Sequence, residues 1–131
     1  MNDDEDLAAV RERKKRRLVQ EHGLGAPSAP VYVDGSQNFA DTVAAHDVVV
    51  VHYYADRGAG QRLHPIVETV ASETVAAVAK VNVVHHQRLA REQGVEGTPT
   101  VDVYAEGERV ERIEEAVERD ELVGLVEKYW R

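Results

Sequence analysis

The chain has 131 residues, enough for one domain with a modest core and a short extension. Hydrophobic residues make up 43% of it, which excludes wholesale disorder, and no apolar run approaches the length that spans a bilayer. A formal charge of -8 argues against broad affinity for nucleic acid or anionic membranes, and the absence of cysteine excludes disulfides, thiolate metal sites and cysteine nucleophiles.

The first residues, Met1 to Asp6, are acidic where a secretory leader needs basic residues before an apolar stretch, so the cytoplasm is the expected location. Asp3 to Asp6 suit the start of a helix, and Leu7, Val10, Lys14 and Leu18 fall near helical spacing. From Arg11 to Arg17 six of seven positions are basic, read as a solvated helix face that could also dock on the acidic body or on another copy. Acids and bases balance over residues 1–22, so the rest of the chain carries the negative excess. Lysine is scarce (Lys14, Lys15, Lys80, Lys128) and Ala and Val are abundant, a halophile-like balance that GC-rich codons also produce. Residues 23–30, rich in Gly and Pro, read as a linker. The expected organisation is therefore a charged helix over 1–22, a linker over 23–30 and a domain over 31–131.

Beyond the linker, strand and helix signals alternate. Val31 to Val33 predicts a short strand turned by Asp34-Gly35, and Ser36 is a candidate N-cap for a helix burying Phe39 and Val43. Val48 to Tyr54, β-branched and aromatic without clean alternation, predicts a strand covered on both faces. Leu63, Ile66, Val67, Val70 and Ala71 follow the spacing of a packed helix. Val78 to Val84 predicts a second central strand, and His86 to Gln93 a short helix stopped by Gly94. Thr100 to Tyr104 and Arg109 to Ile113 predict a hairpin across Ala105 to Glu108, and Leu122, Leu125, Val126 and Tyr129 a terminal amphipathic helix. The order βαβαβαββα describes an α/β domain with a mixed central sheet flanked by helices, parallel crossovers first and an antiparallel hairpin last.

Particular residues sharpen that outline. Val51-His52-Tyr53-Tyr54-Ala55-Asp56, Gln61-Arg62-Leu63-His64-Pro65, Ala79-Lys80-Val81-Asn82-Val83 and Gln93-Gly94-Val95-Glu96-Gly97-Thr98-Pro99-Thr100 occur in this order. Over residues 31–131 the chain resembles the thioredoxin family, which implies the thioredoxin fold with an added N-terminal helical extension. The resemblance is of a haloarchaeal type. In that family a Trp-Cys-Gly-Pro-Cys motif joins the second strand to the following helix. Here the stretch reads Arg57-Gly58-Ala59-Gly60, one residue shorter and without sulfur. The family's buried aspartate aligns with His52, and the lysine near it is kept as Lys80.

Disulfide exchange requires a thiolate attacking a disulfide sulfur, so the family's protein-disulfide reductase activity does not carry over and no catalytic residue is assigned. Arg57, Gly58, Ala59, Gly60, His52 and Lys80 are read as the remnant of the redox site. The resemblance implies a cis bond before Pro99 and an extended-peptide groove formed by Arg57, Ala59, Gly60, Gly97, Thr98 and Pro99, with the Gly58-Ala59-Gly60 stretch widening it. The expected function is non-redox recognition of protein or extended peptide. The alternatives are a cysteine-free form, natural or engineered, of a thioredoxin acting as a protein-disulfide reductase in cell redox homeostasis, and a histidine metal-binding protein.

His52, His64, His85 and His86 are the imidazoles such a metal site would use. His85 and His86 are adjacent, so their side chains diverge, and neither a metal nor another cofactor is expected. Gly58 to Gly60 with Arg57 and Arg62 resembles an anion cradle only in outline and is read as a tight turn. If His52 and Lys80 share a buried site, desolvation and like charge keep His52 neutral at pH 7, as a structural hydrogen-bonding residue. Partner identity and oligomeric state leave no mark in the sequence.

Overall fold

The computed structural model describes residues 26–58 and 60–130. The expected helix over 1–22, the first part of the linker, and Ala59 lie outside the described residues. Chain order runs β1 (Val31–Tyr32), α1 (Ser36–Ala45), β2 (Val48–Tyr54), α2 (Leu63–Glu73), β3 (Ala77–Asn82), α3 (Gln87–Glu92), β4 (Thr100–Ala105), β5 (Glu108–Ile113) and α4 (Arg119–Tyr129).

The sheet order is β1-β3-β2-β4-β5, with β1, β3 and β2 parallel and β2, β4 and β5 antiparallel. β2 lies at the centre, and its lack of alternation follows from burial on both faces. Val48 and Val50 pack with Leu63, Val67 and Val70 of α2 and Leu122 and Val126 of α4. Val49, Val51 and Tyr53 pack with Phe39, Val43, Leu89 and Tyr104 on the other face. Strand parity therefore puts His52 on the α2 and α4 side, directly opposite Lys80 of β3.

Several element ends differ from the sequence-based reading, each for a local reason. Ser36 is the first residue of α1 and not its cap; Gly35 is the cap, and Ser36 Oγ donates across to Glu92 Oε1 at 3.1 Å. β3 stops at Asn82 because that side chain turns the chain: its Oδ1 accepts from the backbone N–H of Val84 (2.9 Å) and His85 (3.3 Å). Its Nδ2 donates to Asp56 Oδ1 at 2.7 Å, fastening the end of β3 to the loop after β2. The β4–β5 connection is tighter than expected, with only Glu106 (φ 52°) and Gly107 (φ 84°) between the strands, the left-handed pair a two-residue hairpin favours.

Candidate functional site

The segment linking β2 to α2 and the segment entering β4 meet at the same end of the sheet. Gln61 Nε2 donates to the Ala55 carbonyl at 2.8 Å, and Leu63 N–H to the Gly60 carbonyl at 3.0 Å, closing the loop on itself. Gly60 has φ +96°, and a Cβ there would stand 2.8 Å from Pro99 Cβ. Glycine thus lets the loop backbone abut Pro99, and at this position the loop closes on the proline instead of opening a wider wall. Arg57 and Gly58 are exposed at the other end of the loop.

The Thr98–Pro99 bond is cis. Thr100 Oγ1 donates to the Gly97 carbonyl at 2.7 Å, holding the approach to β4. The backbone N–H and C=O of Thr98 make no hydrogen bond among the described residues, whereas in the strand that follows Thr100 to Ala105 pair with β2 and Val101 to Ala105 with β5. Gly60, Gly97, Thr98 and Pro99 are therefore assembled around an unpaired stretch of main chain. Arg57 stands at the exposed end of the adjoining loop, and the side chain of Ala59 lies outside the described residues.

Beneath this surface lies the second group of residues singled out by the sequence. His52 is wholly buried and Lys80 is 3% exposed. They are register partners, but the direct contact of Lys80 is different from the expected one. Its Nζ lies 2.5 Å from His64 Nδ1, and its charge sits 5.4 and 5.3 Å from the ring centroids of Tyr32 and Tyr54. His52 meets His64 edge-on with centroids 5.0 Å apart, and Tyr54 at 5.6 Å. Neither ring nitrogen of His52 has a hydrogen-bond partner among the described residues, so the expected hydrogen-bonding role is not what the structure contains.

Burial, then the neighbouring His64 and Lys80, pushes His52 from 6.5 down to about 3, so it is neutral at pH 7. Burial and Lys80 lower His64, and burial lowers Lys80, with Glu68 opposing both shifts. His64, which the sequence offered only as one of four imidazoles for a metal, thus joins the remnant site. His85 and His86 belong to the turn after β3, and among the described residues no three His, Asp or Glu side chains converge as a metal-ligand set.

A third feature escaped the sequence reading. Asp102 of β4 is fully buried and receives two bonds from Arg112 of β5, Nε to Oδ1 at 2.7 Å and Nη2 to Oδ2 at 2.8 Å. The same guanidinium donates to the carbonyls of Gln93 (2.7 Å) and Gly94 (3.0 Å), at the end of α3. Arg112 thereby ties the hairpin to the root of the segment that carries Gly97, Thr98 and Pro99. A lone aspartate in an otherwise apolar strand was the available signal.

Residues 30–128 match the family model described as thioredoxin. The thioredoxin of Chlamydia trachomatis is 30% identical over 101 residues, covering 76% of this chain and 98% of that protein. A protein disulfide-isomerase of Medicago sativa is 38% identical over 98 residues, covering 69% of this chain but only 19% of that larger protein. Among solved structures, a mutant thioredoxin from Halobacterium salinarum superposes with a TM-score of 0.77 at 42% identity, covering 82% of this chain and 96% of the other. The halophile-like composition has a counterpart in that neighbour. No helix among the described residues is long and apolar enough to cross a membrane.

Proposed function

The chain belongs to the thioredoxin family, and from that premise we propose that it is a non-redox recognition module binding extended peptide or protein segments. With no cysteine there is no thiolate to attack a disulfide, so catalysis of exchange is outside its chemistry. The observation that carries the reading is the unpaired backbone of Thr98, two residues before Thr100, the first residue of a strand paired with β2 along its length. An extended ligand can add there as a further strand, using main-chain hydrogen bonds that need neither cysteine. Gly60, Gly97 and Pro99 line the approach, and Arg57 and Ala59 are assigned to its rim.

The proposed recognition unit is residues 31–131, with residues 23–30 as its linker and a cytoplasmic setting. The expected ligands are polypeptide. Anionic membranes and nucleic acid are disfavoured by the charge of -8. Screening the full chain against an array of extended peptides, each paired with a copy methylated on its backbone nitrogens, tests the reading. Binding that methylation removes supports strand addition. Binding indifferent to methylation, or none across the array, rejects it.

A further inference from the structure

Lys80 carries a buried ammonium group whose immediate neighbours are all uncharged. His64 Nδ1 accepts from its Nζ, and the rings of Tyr32 and Tyr54 flank it. Among the described residues no carboxylate oxygen lies within ion-pair distance of it; Glu68 of α2 acts on it from farther away, and Asp56 is held by Asn82. A buried ion without a counter-charge is strongly unfavourable, which makes its surroundings informative. Beside it stands His52, wholly buried, whose neutral ring must carry one N–H and has no acceptor for it. Two donor groups from adjacent strands, at paired register positions, thus both lack an acceptor of matching charge.

We propose that Lys80, His52 and His64 form an internal site for a monatomic anion of the halide class. One negative ion between the Lys80 ammonium and the His52 N–H supplies both the missing counter-charge and the missing acceptor. A divalent cation is disfavoured at the same place, because Lys80 repels it and already occupies His64 Nδ1. The neighbouring α4 turns Leu122, Val123 and Val126 into this side of the core, and Tyr129 packs against the same cluster with its hydroxyl donating to Glu111. The titratable groups acting on Lys80 and the two imidazoles are Tyr32, Tyr54 and Glu68. Protonating His64 ends its acceptance from Lys80 and adds a second cation, so occupancy increases in acid.

Thermal unfolding of the full chain in sodium chloride and in sodium gluconate, at equal ionic strength, tests the site at mildly acidic and mildly alkaline pH. The melting temperature is expected to be several degrees higher in chloride than in gluconate, with a larger difference in acid. His52→Asp places a carboxylate opposite Lys80 and should abolish the difference; Lys80→Met should abolish it also. The chloride-35 NMR line, broadened by the wild-type chain, should narrow to the buffer value in both variants. Equal melting temperatures in the two salts, or a chloride effect that survives in a folded variant, would overturn the proposal. If one variant does not fold, the other and the line width on wild type still decide.

Discussion

Asp102 and Arg112 face each other across β4 and β5 as a bidentate pair, with the carboxylate fully buried and the guanidinium also on the carbonyls of Gln93 and Gly94, just past the end of α3. One side chain thus fastens the hairpin to the segment that leads into Thr98.

Arg112→Ala should destabilise the chain by about 3 kcal/mol, because it takes both hydrogen bonds from a buried carboxylate and leaves it only the looser pair with Arg109 at 3.9 Å. Arg112→Lys should recover little of this, since an ammonium cannot hold both carboxylate oxygens and two carbonyls in one plane. Asp102→Leu combined with Arg112→Leu should be far milder than Arg112→Ala alone. Urea unfolding of the variants measures each effect. A loss near zero for Arg112→Ala would mean that the pair does not tie the two segments.

Acid should weaken the fold through His52. Its folded value, about 3, lies below the ordinary 6.5, so the unfolded chain binds the proton more readily. Stability is complete above the unfolded value and falls as pH drops from 6.5 towards about 3. At one pH unit below the unfolded value the loss should be on the order of 1 kcal/mol. His64, also lowered, acts in the same direction. Urea midpoints for wild type and His52→Leu, compared in gluconate buffers, check this: the variant should have a shallower acid slope. Parallel slopes would remove His52 from the account.

Gly60→Ala should cost more than Gly58→Ala. Both positions have positive φ, +96° and +100°, but only at Gly60 would the new Cβ meet Pro99 at 2.8 Å. Gly58→Ala should lose about 1 kcal/mol from backbone strain, and Gly60→Ala more, with peptide affinity lost as well. Equal effects on stability and binding would separate the loop from the groove.

Zinc or nickel at micromolar concentration should leave the melting temperature unchanged, because Lys80 holds the nitrogen of His64 that a metal would share with His52. Saturable stabilisation that His64→Ala removes would contradict this.

The parts of this structure legible in the sequence are those whose cause is local. Val48 to Tyr54 announced a doubly covered strand by its composition, and the turn-like stretch Ala105 to Glu108 announced the hairpin, although its turn is the shorter Glu106-Gly107. The Gly97-Thr98-Pro99 turn could be found by resemblance. What stayed hidden depends on register between distant segments. Asp102 is a bare charge until β5 is aligned against β4, which brings Arg112 opposite it. The place of His64 stayed open because nothing local reveals that the first turn of α2 lies over Lys80, 16 positions away. The tie from Asn82 to Asp56, 26 positions away, was hidden in the same way, although the turn that ends β3 at Asn82 is local. The N–H that no residue accepts at His52 is likewise a property of the packed core.

The most direct measurement of the central claim is a nitrogen-15 NMR titration of the full chain with an extended peptide selected from the array. The account predicts saturable shifts centred on the amides of Thr98, Gly97 and Gly60, slowed hydrogen exchange at Thr98, and no response to the backbone-methylated peptide. Shifts that saturate elsewhere on the surface and leave Thr98 unmoved would contradict it.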